Sequence, residues 1–157
     1  MKLSTRTRYG TRALLDLARH RGGKPVRLKD IAERQNISLH YLEHIITPLV
    51  GAGIVRSIRG ARGGIQISKR PEQVKLSEVV ALLEGTMAPV DCVIDPESCR
   101  RSDSCATRDV WSEVKNAIDK ALNSVTLQDL IEREQAKERS AGVTAGGGVP
   151  GNRSDGV

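Results

Sequence analysis

The segment that most constrains the fold runs from residue 28 to residue 67, where two helical patterns precede two alternating ones. Residues 28–35 carry apolar side chains at helical spacing. A second helix is predicted to begin at Ser38, a good N-cap, because apolar residues follow at positions i, i+3, i+4 and i+7. These residues are Leu42, Ile45, Ile46 and Leu49. Two short helices joined by a few residues predict a helix-turn-helix.

A β-hairpin is predicted directly after the second helix. Residues 54–58 and 65–67 alternate apolar and polar side chains, as half-buried strands do. The loop between them, residues 59–64, is rich in glycine and contains Arg59 and Arg62. A hairpin in this position is a wing, whose tip can reach a minor groove or the backbone of DNA. A Gly- and Arg-rich hairpin alone is more often a flexible turn, so its place after the helix pair is what favours DNA binding.

The charge distribution points to the same half of the chain. Residues 1–70 hold 15 Lys or Arg against 4 Asp or Glu, a net charge of +11, whereas residues 71–157 hold 10 against 15, a net charge of −5. A basic region attracts phosphate backbones, although charge alone also fits an anionic membrane surface or a solvated face. The sequence lacks an apolar run near the roughly 20 residues of a membrane span and an apolar signal-peptide centre, so we expect a soluble cytoplasmic protein without membrane association.

Further helical patterns occupy the rest of the chain. An amphipathic helix is predicted over residues 5–20, a short one before Gly85, and a long one whose apolar stripe runs from Trp111 to Val125. The chain has no Phe and only three aromatic residues, so the core must be aliphatic. We expect a mainly α fold with a small β-hairpin wing. Its predicted parts are a winged helix-turn-helix DNA-binding domain (1–85), a cysteine sensing loop (86–108), a dimerisation helix with a following helix (109–140) and a disordered Gly-rich tail (141–157).

The second helix of the pair offers a polar face for reading DNA. If its apolar stripe faces the core, a step of 100° per residue puts His40, His44 and Thr47 on the opposite face. Glu can accept a hydrogen bond from cytosine, His and Tyr can reach base edges, and a helix N-terminus accommodates a phosphate. The alternative is a solvated helix face. The candidate DNA-binding residues are Ser38, His40, Tyr41, Glu43, His44, Arg59 and Arg62.

Three cysteines, Cys92, Cys99 and Cys105, follow the spacing C-x6-C-x5-C. An odd number of cysteines argues against a disulfide framework, and the spacing lacks the C-x2-C pairs of structural zinc sites. Three thiols within fourteen residues suit an iron-sulfur cluster, whose principal ligands are cysteine thiolates. A zinc site, a thiol redox switch and three cysteines without a function are the alternatives.

The whole pattern resembles a family of winged-helix bacterial transcription regulators that includes the iron-sulfur cluster regulator IscR, the nitric-oxide sensor NsrR and the cysteine-metabolism regulator CymR. The resemblance covers about residues 1–135 and is carried by KLSTRTRYG, ISLHYLE, RGARGG, LSEVVALLEG, the three cysteines and TLQDL. It implies a homodimer that binds a palindromic operator in double-stranded DNA. It also implies a [2Fe-2S] or [4Fe-4S] cluster on the three cysteines, and it matches six of the candidate DNA-binding residues, all except Arg62, to the family's DNA-contacting stretch.

The chain departs from this family at the fourth cluster ligand. IscR-like members have a His where this chain has Arg108, and NsrR-like members use an acidic residue where it has Arg8. The open alternatives are a residue of the partner chain, an external thiol, an open iron site, or one of Asp91, Glu97, Asp103 and Asp109. Control by a bound metabolic enzyme, as in CymR, is a further alternative. Neither a nucleophile–base pair nor a phosphate loop is present in the sequence, so we do not expect an enzyme.

Overall fold

The computed structural model describes residues 2–20 and 22–145. Its helices and strands are α1 (Thr5–Arg19), α2 (Leu28–Gln35), α3 (Leu39–Gly51), β1 (Val55–Ile58), β2 (Gly64–Ile67), α4 (Leu76–Glu84), α5 (Ala106–Asn123) and α6 (Leu127–Ala145). The predicted fold class, mainly α with a small β-hairpin, is confirmed. Within the described ranges, none of the helices combines the length and apolar character that crossing a bilayer requires.

The helix pair α2–α3 forms as its terminal residues dictate. Asn36 takes a left-handed backbone conformation, φ 52°, and ends α2, because Asn tolerates this region better than most residues do. Ser38 caps α3, its Oγ accepting a hydrogen bond from the Tyr41 N–H at 3.2 Å. Pro48 cannot donate to the carbonyl of His44, yet α3 continues through it to Gly51.

The core is aliphatic, as expected for a chain without Phe. Helix α1 contacts α2, α3, α4 and α6, and buries Leu14 and Leu17 among them. The four stripe residues of α3 are all buried: Leu42, Ile45, Ile46 and Leu49. The stripe prediction is therefore confirmed, and the opposite face of α3 is left to solvent.

The segment that follows α5 returns to this core. The Leu76 N–H donates to the carbonyl of Val125, and the Leu127 N–H donates to the carbonyl of Val74, each at 2.8 Å. Leu127 and Ile131 of α6 are buried in the same cluster as α1. Helix α6 includes residues 141–145 of the segment for which the sequence predicts disorder, and residues 146–157 lie outside the described residues.

Helix α5 differs from the others because its side chains do not enter the core. It contacts α4, but none of its residues is fully buried. Val110 is 51% exposed and Trp111 is 40% exposed. A chain with one Trp that leaves it on the surface has an apolar face available to a partner.

A buried carboxylate joins α1 to α2. Asp16 is only 5% exposed, and Arg34 donates to its two oxygens at 2.6 and 3.0 Å while Gln35 Nε2 donates at 2.9 Å. Burial opposes ionisation of Asp16, but the hydrogen bonds from Arg34 and Gln35 and the charge of Arg34 outweigh it, so its pKa lies below the ordinary value. This ion pair holds the C-terminal end of α2 against α1, at the point where the turn into α3 begins.

Candidate nucleic-acid interface and cysteine loop

The polar face of α3 carries two histidines one turn apart. The side chain of His40 is 85% exposed and that of Glu43 is 57% exposed. The Nε2 atoms of His40 and His44 lie 3.3 Å apart, with the two rings nearly perpendicular. The structure therefore brings these three predicted residues together on the solvent-facing surface of α3, within two turns of the Ser38 cap.

Tyr41 differs from the other candidate DNA-binding residues because its side chain is partly covered by α1. It is half-buried, and its ring packs edge-to-face on Tyr9 of α1, with centroids 6.2 Å apart. The guanidinium carbons of Arg12 and Arg8 lie 5.6 and 6.0 Å from the centroid of the Tyr9 ring. Sequence reasoning did not select Arg8, Tyr9 or Arg12 as a site, although arginines flanking a Tyr on one helix were a readable signal.

The wing is a regular antiparallel hairpin with a fixed turn. Val55 pairs with Ile67 and Ile58 pairs with Gly64. A Cβ at Gly63 would lie 2.2 Å from the carbonyl oxygen of Ile58, so only glycine fits there. Arg59 and Arg62 lie in the loop, both exposed, and neither makes a hydrogen bond or ion pair within the described ranges. The wing therefore presents two guanidinium groups without a neutralising partner.

The cysteine loop contains three single turns of 3₁₀ helix, Asp91–Val93, Pro96–Ser98 and Ser102–Ser104. Cys92 lies within the first turn, Cys99 follows the second, and Cys105 follows the third as the N-cap of α5. All three thiols are free and half-buried. In the described part of the chain, the side chains of His, Cys, Asp and Glu do not come together in threes close enough to hold one metal ion. The donor type suits a cluster, but the thiols are not gathered into a ready-made site.

Arg108 holds the two ends of this loop together. Its Nε donates to the carbonyl of Cys92 at 2.8 Å, and its Nη1 donates to the carbonyl of Ser102 at 3.4 Å. The buried Ser102 in turn donates from Oγ to the carbonyl of Pro96 at 2.7 Å. The residue that cannot ligate iron therefore has a structural role, which the sequence did not reveal.

The anion of the Cys105 thiol is stabilised by its neighbours. Its Sγ lies 3.1 Å from the hydroxyl of Thr107, and this hydrogen bond, followed by the N–H of Arg108, lowers the pKa of the thiol below its ordinary value. The charge of Arg101 acts in the same direction. The start of α5 thus favours a thiolate at this position.

Comparison with known proteins places this architecture among bacterial regulators. Residues 3–133 match the family described as Rrf2, iron-dependent transcriptional regulator. The protein rrf2 of Nitratidesulfovibrio vulgaris is 47% identical over 131 residues, 83% of this chain and 87% of the relative. The structure of CymR, the global cysteine regulator of B. subtilis, is 37% identical in sequence and has a TM-score of 0.72. The match covers 85% of this chain and 98% of the CymR chain. The structure of T. potens IscR is 39% identical in sequence and has a TM-score of 0.70. The match covers 85% of this chain and 88% of the IscR chain.

Proposed function

We infer that this chain, which belongs to the Rrf2 family of DNA-binding transcription regulators, acts as a homodimer on a pseudopalindromic operator and senses its signal through the cysteine loop. The observation that carries the first part is the pairing of an open polar face on α3 with two unneutralised arginines on the adjacent wing. Helix and wing have the arrangement in which a helix enters a major groove while a wing reaches the neighbouring minor groove or backbone.

The division of labour follows from the residue types. On α3, His40, Glu43 and His44 can exchange hydrogen bonds with base edges, and the Ser38 end of the helix can accept a phosphate. On the wing, Arg59 and Arg62 combine permanent charge with a fork of donors, which suits a narrow minor groove and its phosphates. Tyr41, which packs on Tyr9, is proposed to contact DNA only through its exposed part.

Replacing Arg59 with Ala is expected to weaken operator binding by roughly 1 to 3 kcal/mol, because one guanidinium leaves the groove. Lys69→Ala removes one positive charge just past β2 and serves as the control, since Lys69 Nζ already pairs with Glu78 at 2.8 Å. Fluorescence anisotropy with an operator duplex at one salt concentration measures the affinity of both variants. Equal losses of operator affinity in the two variants would show that the wing tip does not take part in DNA recognition.

The cysteine loop is proposed to connect signal and DNA binding. It joins α4, whose Val79 and Leu83 are part of the winged core, to α5, which carries the exposed apolar face. The residues that would hold an iron-sulfur cluster are Cys92, Cys99 and Cys105, with the fourth ligand open. A cluster would supply a redox-sensitive link between three points of the loop. Any agent that orders this loop can change how α5 is presented relative to the winged domain.

Replacing all three cysteines with Ala is expected to fix the protein in its cluster-free DNA-binding behaviour without unfolding the winged domain. The expected difference from cluster-loaded protein is about 5- to 150-fold in operator affinity, the usual range of coupling between two sites. Ser104→Ala, at an exposed position of the same loop, is the control, because it keeps every thiol and leaves the hydrogen bonds of Ser102 and Arg108 in place. Equal affinity of loaded, cluster-free and triple-Ala protein for each operator would show that the loop does not control DNA binding.

A thiol switch without iron is the second candidate. It is favoured by the three free thiols and by the hydrogen bond through which Arg108 ties the Cys92 carbonyl to the start of α5. The visible absorption spectrum, with the iron and sulfide content of protein purified without oxygen, separates the two. Brown protein with iron and sulfide supports the cluster, and colourless protein that loses operator affinity on mild oxidation supports the switch.

A further inference from the structure

A second group of cations lies beside the wing. The loop between α1 and α2 and the end of the wing loop line one open cleft of about 550 Å³. The residues that line it are Gly23, Lys24, Pro25, Arg27, Arg62 and Gly63. Three of the six are cations, and the lining contains neither acidic nor aromatic side chains. Lys24 and Arg27 were not among the predicted DNA-binding residues.

Backbone pairing holds the two walls of this cleft together. The Val26 N–H donates to the carbonyl of Ile65, and the Ile65 N–H donates to the carbonyl of Val26, each at 2.8 Å. A Cβ at Gly64 would lie 2.4 Å from the Val26 carbonyl oxygen, so glycine is needed for this approach. Because Val26 immediately precedes Arg27, this bridge sets the position of a cationic residue against the wing.

The charges of the cleft are not neutralised by the protein. Within the described ranges, the side chains of Lys24, Arg27 and Arg62 make neither ion pairs nor hydrogen bonds. Three like charges around one cleft repel each other, and an anion relieves that repulsion. The lining has no aromatic ring on which a nucleobase could stack. A phosphate has the matching charge and accepts the forked donors of Arg.

We propose that this cleft binds a phosphodiester of the DNA backbone at the edge of the groove that the wing enters. The inference rests on the proposed function, because it needs the wing to lie against DNA. Arg62 belongs to both the wing and the cleft, so a wing tip in the groove brings the flanking backbone to Lys24 and Arg27. Phosphate contacts fix the orientation of a protein on the duplex and carry no base information. The cleft therefore contributes affinity and register, and the α3 face contributes base choice.

The test compares the double variant Lys24→Ala/Arg27→Ala with wild-type protein on an operator duplex and on an unrelated duplex of equal length, across a series of KCl concentrations. Each phosphate neutralised contributes about 0.9 to the slope of log affinity against log salt, so the slope should become shallower by about 1 to 2. The loss should be the same on both duplexes. The matched control, Arg133→Ala/Lys137→Ala, removes two charges from the exposed surface of α6. Lys24→Arg/Arg27→Lys should keep the wild-type slope.

Several results would overturn the proposal. One is a slope that changes no more than in the α6 control, with thermal melting showing that the double variant is folded. Another is a loss confined to the operator duplex, which would mark a base contact. A third is binding of inorganic phosphate to the free protein that disappears in the double variant while the salt slope stays unchanged, because the ligand is then a free anion. Failure of wild-type protein to prefer any operator would contradict the proposed function instead, and the slope on the unrelated duplex would still report on the cleft.

Discussion

Replacing Trp111 with Asp is expected to turn the proposed dimer into a monomer and to lower its affinity for a two-half-site operator by about 10²- to 10⁴-fold. The magnitude follows from effective concentration, because a dimer that has bound one half-site finds the second without a further bimolecular step. Trp111 and Val110 are the exposed large apolar residues of α5, and large buried aromatic side chains often carry most of an interface's energy. A dimer of this kind requires half-sites about 34 Å apart, or a multiple of that spacing.

Asn116→Asp is the matched control for this prediction, because it adds the same charge to an exposed position of the same helix. Sedimentation velocity at micromolar concentration gives the oligomeric state, and anisotropy gives affinity for duplexes with one and two half-sites. The Trp111→Asp protein should bind a duplex with a single half-site as well as wild type does. A Trp111→Asp protein that remains dimeric would exclude this face of α5 from the interface, and a monomer with unchanged operator affinity would exclude cooperative half-site binding.

The sequence predicted the helix pair and the wing because local signals agree there. The cap at Ser38, the buried stripe of α3 and the alternation on either side of the Gly-rich loop each indicate one structure, and the family comparison confirms the resemblance. The bridge between Val26 and Ile65 could not be read in the same way, because isolated pairing of distant residues leaves no periodicity. The basic cleft depends on that bridge, so Lys24 and Arg27 were not selected.

In the cysteine loop, the sequence identifies the type of ligand but not the relative positions of the three thiols. Three thiols within fourteen residues identify a donor set, but their relative positions depend on the turns between them. Those turns are set by side chains that hydrogen-bond the main chain, chiefly Arg108 and Ser102. The same limit applies to Tyr41, since helical periodicity gives its direction on α3 but does not reveal that Tyr9 of α1 lies beside it.

The second large effect is on stability. Asp16→Ala is expected to lower the free energy of unfolding by about 2 to 3 kcal/mol, since it removes a carboxylate that takes hydrogen bonds from both Arg34 and Gln35. Breaking a fully buried ion pair typically costs about 3 to 5 kcal/mol. The side chain of Arg34 is 37% exposed and recovers part of its hydration once its partner is gone, so the expected cost falls below this range. Urea denaturation at pH 7 measures the change.

The pH dependence of this loss gives the prediction a second readout. Because the pKa of Asp16 is lower in the folded protein than its ordinary value of 3.8, its stabilisation is fully present above about pH 5. This charge-dependent part is lost as the pH falls through the folded-state pKa, so the difference in stability between wild type and Asp16→Ala should become smaller in acid. Asp119→Asn, which breaks the partly exposed pair with Lys115 on α5, is the matched control and should cost less than about 1 kcal/mol. A constant difference between wild type and Asp16→Ala at every pH would mean that packing around residue 16, and not the charge of Asp16, joins α1 to α2.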